Sequence, residues 1–240
     1  YLIILTSMDD IEKLVTALST TIGRERNLFT ETPLHCRQLH LPHPILTPLD
    51  LATIRASGHE ELQSAELSIC WPLADGGAGL THALEALCRH AVRQVETAAR
   101  LLILSDRDIP HGHAPIPALM ATAAVHHSLI AAGMRSGCGL IVETGEAREI
   151  HHFCCLLGYG AGAVVPWLAL ATIDRLVEAD RLGGTDAQTA RTRYMGAVKK
   201  GILKVLSKMG ISTLQSYRGA QIFECVGLEP SVTDRWFTGT

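Results

Sequence analysis

Two short polar runs carry much of the chemical capacity of this sequence. Ser105-Asp106-Arg107 follows the apolar stretch Leu101-Leu102-Ile103-Leu104, and Glu143-Thr144-Gly145-Glu146 follows Gly139-Leu140-Ile141-Val142. A polar cluster directly after an apolar strand sits at the carboxyl end of a parallel sheet, where ligands of such folds bind. Asp106 and Glu143 could contact a ligand or a migrating amine, and Arg107 could grip a carboxylate with two parallel N–H bonds. The same three residues could instead form an ion-paired ring that closes the sheet. Glu146 and Arg148 lie close enough in sequence to belong to the same cluster.

A second candidate region runs from Lys199 to Phe223. Ile202, Leu203, Val205, Leu206 and Met209 recur at helical spacing, and Lys199, Lys200, Lys204 and Lys208 occupy much of the remaining surface. This is an amphipathic helix with basic residues in its last turn, where they complement the helix dipole. Gly210 is a helix stop. Ile211–Leu214 is then expected as a short strand, with Gln215, Ser216, Tyr217 and Arg218 at its end. Lys208, Ser212, Gln215 and Arg218 are the candidates for holding a cofactor anion there.

Other reactive residues carry weaker signals. Asp75-Gly76-Gly77-Ala78-Gly79 could cradle a phosphate, but it matches neither dinucleotide nor P-loop spacing, and a tight turn explains it. The histidine pairs His126-His127 and His151-His152 each offer one side chain per helix face, about 100° apart. Glu149 and His152 form a single Glu-x-x-His, whereas di-iron carboxylate bundles need two. No metal site is expected. Cys154-Cys155 is read as core, with His151 near enough for a contact but no apparent means of activation.

These candidates need elements to hold them. After a lead-in over residues 1–62, strands and helices alternate: strands at Leu67–Trp71, 101–104, 139–142, Ala163–Val165 and 211–214, and helices over Leu80–Arg100, Ile116–Ala132, Glu146–Leu157, Leu168–Leu182 and Ala190–Met209. Strand–helix alternation implies an α/β fold with a mostly parallel sheet. Five strands suggest an incomplete barrel or an open sheet. The lead-in has a helical face over Ile11–Ile22, then prolines at 33, 42, 44 and 48 that make it extended and surface-wrapping, then a short helix at Pro48–Ala56. The domain division expected is 1–62 and 63–240.

The bulk figures narrow the function classes. A chain of 240 residues with 47% hydrophobic residues can bury a large core. The net charge of −3 and 5% aromatic content give neither a basic field nor a stacking surface for nucleic acid. No membrane span is visible. Seven scattered cysteines without a Cys-x-x-Cys pair imply reduced thiols and a cytoplasmic setting. The first residue is Tyr1, so a piece of a longer chain or a processed product is expected.

Four blocks in one order carry a family resemblance. They are Ser105-Asp106-Arg107 with 114–119 (APIPAL), 143–153 (ETGEAREIHHF), 157–161 (LGYGA), and 204–224 (KVLSKMGISTLQSYRGAQIFE). Together they resemble the central domain of the glutamate synthase large subunit, over roughly residues 14–240. Val165-Pro166-Trp167 departs from the family's Asn-Pro-Tyr. The resemblance implies a domain between a glutamine amidotransferase domain and an FMN domain, helping to form the ammonia tunnel. The parent enzyme is an oxidoreductase that makes L-glutamate from glutamine and 2-oxoglutarate. It uses FMN, a 3Fe-4S cluster, and a reductase subunit or ferredoxin. By the same resemblance, the catalytic cysteine, the cluster ligands and most FMN ligands lie outside this chain, which alone is inactive and binds no cofactor. A stand-alone α/β-barrel enzyme using Asp106, Glu143 and Arg148, or a purely structural interaction domain, are the alternatives.

Overall fold

The computed structural model describes residues 18–240 except Leu28 and Glu31. In chain order, β1 (Thr20–Ile22) pairs antiparallel with β2 (Leu39–Leu41) and α1 (Pro48–Arg55) follows. Then come β3 (Ser64–Ser68), β4 (Cys70–Pro72), α2 (Gly76–Thr97), β5 (Leu101–Ser105), β6 (His113–Pro115) and α3 (Ala118–Ala131). The remainder is β7 (Gly139–Glu143), α4 (Ile150–Gly158), β8 (Ala163–Val165), α5 (Trp167–Glu178), α6 (Ala187–Lys208), α7 (Leu214–Tyr217) and α8 (Pro230–Trp236).

The centre is an open, four-stranded parallel sheet in the order β3-β5-β7-β8. Side chains alternate between its faces. Leu102, Leu104, Leu140, Val142 and Val164 meet Leu84, Val125, Phe153, Leu157, Ile202 and Leu206 from the long helices. Leu101, Ile103, Ile141, Ala163 and Val165 meet Ile22, Leu41, Leu46, Leu51 and Ile54. Both faces are buried, which is why β5 and β7 read as continuous apolar runs rather than as alternating ones.

The second face is therefore covered by the lead-in and α1, a correction to the expected surface-wrapping segment. Ile45 is fully buried and bridges in parallel to Val164. Val164 donates its amide to Pro44 O at 2.8 Å, and Leu46 donates its amide to Val164 O at 2.9 Å. The lead-in thus satisfies backbone groups on the open edge of β8. Thr47 and Asp50 form a reciprocal capping box at the start of α1.

Other expectations shift. The predicted helix over 11–22 lies mostly outside the described residues, and its end is β1. The run 67–71 splits between β3 in the main sheet and β4 in an antiparallel ribbon with β6. The glycine turn at 76–79 is already helix α2. α4 starts at Ile150, so Glu146 lies before it rather than in its first turn. No strand forms at 211–214: Thr213 Oγ1 accepts from the Ser216 amide and starts α7 instead.

Candidate functional site

β5 and β7 are parallel with Ser105 opposite Glu143, so the polar runs after both strands emerge at one edge. Glu143 is 1% exposed. Its Oε2 accepts from Arg55 Nη2 and Ser105 Oγ, each at 2.9 Å, and its Oε1 accepts from Arg107 Nη1 at 3.3 Å. Arg55 also bridges to Glu66 at 2.6 Å. Asp106, 3% exposed, accepts from Thr144 Oγ1 at 2.6 Å, Gly145 N at 2.9 Å and Trp167 Nε1 at 2.7 Å. The Arg107 guanidinium lies 5.7 Å from the Trp167 ring centroid.

The expected cluster is thus assembled, and its buried carboxylates are spent on internal partners. An acid or base must reach a reacting proton, and these two face inward. Glu146 leaves the ring. Its Oε2 accepts the Ala118 amide at 2.9 Å, which caps α3 where Pro117 offers no side-chain acceptor. Arg148 is exposed beside a cleft of about 420 Å³ that His151, His152 and Cys155 also line. Arg107 and Trp167 instead form part of a larger cleft of about 640 Å³, with His43, Asp174, Arg191 and Lys199. Asp174 and Arg191 pair at 2.6 Å, and the Nδ1 of His43 is buried without a hydrogen-bond partner among the described residues.

The second candidate group is at the other end of the sheet. Without a strand at 211–214, Gln215 and Arg218 belong to α7 and its C-cap. An added Cβ on Gly162, just before β8, would lie 3.7 Å from Arg218 Nη1, which puts Arg218 at the amino end. Arg218 donates to Gln215 Oε1, and Gln215 Nε2 donates to Glu25 at 2.9 Å. Ser212 and Lys208 are exposed, and Lys208 makes no ion pair among the described residues.

Arg135 stands beside this group and carried no sequence signal. It donates from Nε to His126 Nδ1 at 2.8 Å, from Nη1 to Cys138 O at 2.8 Å and from Nη2 to Gly160 O at 2.7 Å. Burial, then the charge of Arg135, pushes His126 down to about 3. Arg55 was equally invisible, since its partner Glu143 lies 88 residues away. Trp167 stood out in the sequence only as a departure within Val165-Pro166-Trp167, just after an apolar strand.

The weaker motifs resolve locally. His152 Nδ1 accepts from the Glu149 amide at 3.4 Å at the start of α4, a local use of the Glu-x-x-His spacing. Cys155 lies 3.4 Å from His151, but burial pushes its thiol up to about 11, away from a nucleophilic thiolate. Among the described residues no three His, Cys, Asp or Glu converge as a metal-binding group. Among the same residues, no helix is long and apolar enough to cross a membrane.

Comparison with known proteins assigns the sequence to a family. Residues 7–229 match the model of the glutamate synthase central domain. The chain is 39% identical over 232 residues to glutamate synthase [NADH] of Schizosaccharomyces pombe, covering 95% of this chain and 11% of that protein. It is 39% identical over 229 residues to the glutamate synthase [NADPH] large chain of Bacillus subtilis, covering 95% and 15% respectively. A ferredoxin-dependent glutamate synthase 2 of Synechocystis is 39% identical over 242 residues, with the same two coverages. Among solved structures, a mandelate oxidase mutant overlaps 87% of this chain and 90% of its own at 11% identity and a TM-score of 0.46. The chain spans only about a seventh or less of the length of these glutamate synthases, and it belongs to the glutamate synthase central-domain family.

Proposed function

We propose that this chain is the central scaffold of a glutamate synthase large subunit. In that role it joins a glutamine amidotransferase domain to an FMN domain and contributes to the ammonia path between them. The parent enzyme makes L-glutamate from glutamine and 2-oxoglutarate in the cytoplasm. FMN, the 3Fe-4S cluster and the contact with a reductase subunit or ferredoxin belong to the rest of that enzyme. The related proteins carry NADH, NADPH and ferredoxin in their names, so family membership leaves the electron donor open.

The observation that carries this reading is the closed ring at the carboxyl end of the sheet. Asp106 and Glu143 are buried and engaged with Thr144, Gly145, Trp167, Ser105, Arg55 and Arg107. Such a ring fixes the loops of the sheet edge and favours a scaffold over a stand-alone barrel enzyme working through Asp106 and Glu143. Exposed Arg148 and half-exposed Arg107 are the members of the cluster available to line a path or meet a neighbouring domain.

The test is FMN titration of the chain, alone and with the downstream domain supplied as a second polypeptide. Quenching of flavin fluorescence only in the mixture is the expected result. Stoichiometric binding by the chain alone would overturn the scaffold reading.

A further inference from the structure

The recognisable run 215–221 (QSYRGAQ) builds a cleft that the scaffold role does not use. At the amino end of the sheet a cleft of about 320 Å³ is lined by Arg218, His126, His127, Gln221, Thr238 and Thr240 among others, and no Asp or Glu side chain lines it among the described residues. It adjoins a more open cleft of about 380 Å³ through shared His126, Ile130 and Arg218. Neither Arg135 nor Arg218 makes an ion pair among the described residues. Glu25, on the wall of the outer cleft, is the carboxylate nearest to them in the lining, and it is bonded to Gln215.

The hydrogen bonding also fixes the histidine. Arg135 Nε can only donate, so His126 Nδ1 must accept. The ring's proton then sits on Nε2, and an added Cβ on Gly219 would lie 3.9 Å from that nitrogen, next to Arg218. Arg218 and the His126 ring thus line one cleft, with the charge of Arg135 near enough to act on Arg218 and no ion pair to either arginine among the described residues. Burial, then the charge of Arg135, disfavours the charge on Arg218, and the Glu25 carboxylate offsets this in part.

We propose that this cleft binds a small oxyanion, a phosphate or carboxylate group, on Arg218 and the Nε2–H of His126. Arg135 acts as a positioning residue that holds the His126 tautomer and ties Cys138 and Gly160 in place. The proposal does not depend on the scaffold role.

Calorimetric titration of the 240-residue chain with inorganic phosphate, and separately with succinate, at constant ionic strength tests it. Saturable one-site binding is expected, weakened at least tenfold in Arg218→Gln and unchanged in Lys204→Gln, a charge-matched change on an exposed helix face. The tighter of the two anions identifies the chemical source. A shift of the His126 Nε2–H resonance on saturation gives a second readout in the unmutated chain, should Arg218→Gln fail to fold. No saturable binding of either anion, binding indifferent to Arg218→Gln, or an unmoved His126 resonance would each overturn the proposal.

Discussion

Glu143 shows how a buried charge becomes structural. It faces two arginines and a serine hydroxyl with 1% of its surface exposed. Removing one partner of a buried ionic group leaves the others unpaired and costs more than the pair itself contributes. Glu143→Gln is expected to cost about 2–4 kcal/mol, read from urea unfolding at neutral pH with an unchanged m-value. A loss indistinguishable from zero would mean that the ring does not hold the sheet edge. His126 makes a pH prediction. Its folded value is about 3, against an ordinary value of 6.5 in the unfolded chain. Below pH 6.5 the unfolded state takes up a proton that the folded state refuses, so stability present above that pH falls as the solution is acidified towards 3. Between pH 7 and 5 the loss from this one group is about 2 kcal/mol. His126→Gln keeps an acceptor for Arg135 without a titrating ring, and the difference between the two proteins' pH slopes isolates the effect. Parallel slopes would exclude His126 as the source.

At the scale of elements, α3 depends on a residue outside itself. Its first amide, on Ala118, is satisfied by Glu146 from the loop after β7. Glu146→Ala is expected to cost about 1 kcal/mol, measurable as a lower denaturation midpoint; no change would show that the Ala118 amide finds another partner. The stretches legible in the sequence were those where local composition and tertiary environment agree. Leu101–Leu104 and 139–142 are apolar throughout because both faces of the sheet are covered, and 163–165 follows the same rule. The polar runs after β5 and β7 converge as expected, since parallel register dictates it. Residues 211–214 failed because Thr213 serves as a helix cap, a choice that an isolated β-branched residue does not announce. Losing that strand moved Gln215 and Arg218 from one end of the sheet to the other. Arg55 and Arg135 stayed hidden because each partners with atoms that only the fold brings near, such as Glu143 and Gly160 O.

For the whole molecule, the lead-in is the other half of the core. Ile22, Leu41, Leu46, Leu51 and Ile54 close one face of the sheet, and 44–46 occupies the edge of β8. A single truncation such as Ile45→Ala is expected to cost about 2–4 kcal/mol, the range for a fully buried aliphatic side chain. Removing residues 1–62 outright does something different in kind. It bares Leu101, Ile103, Ile141, Ala163 and Val165 together, and it frees the backbone edge of β8 for pairing with another chain. The polypeptide 63–240 is therefore expected to bind a hydrophobic dye and to elute as large species in size-exclusion chromatography. The full chain under the same conditions should do neither to the same extent. If 63–240 instead elutes as a monomer with the full chain's melting temperature, the sheet needs no cover from the lead-in, and the two apolar faces would have to be explained by a different partner for the second one.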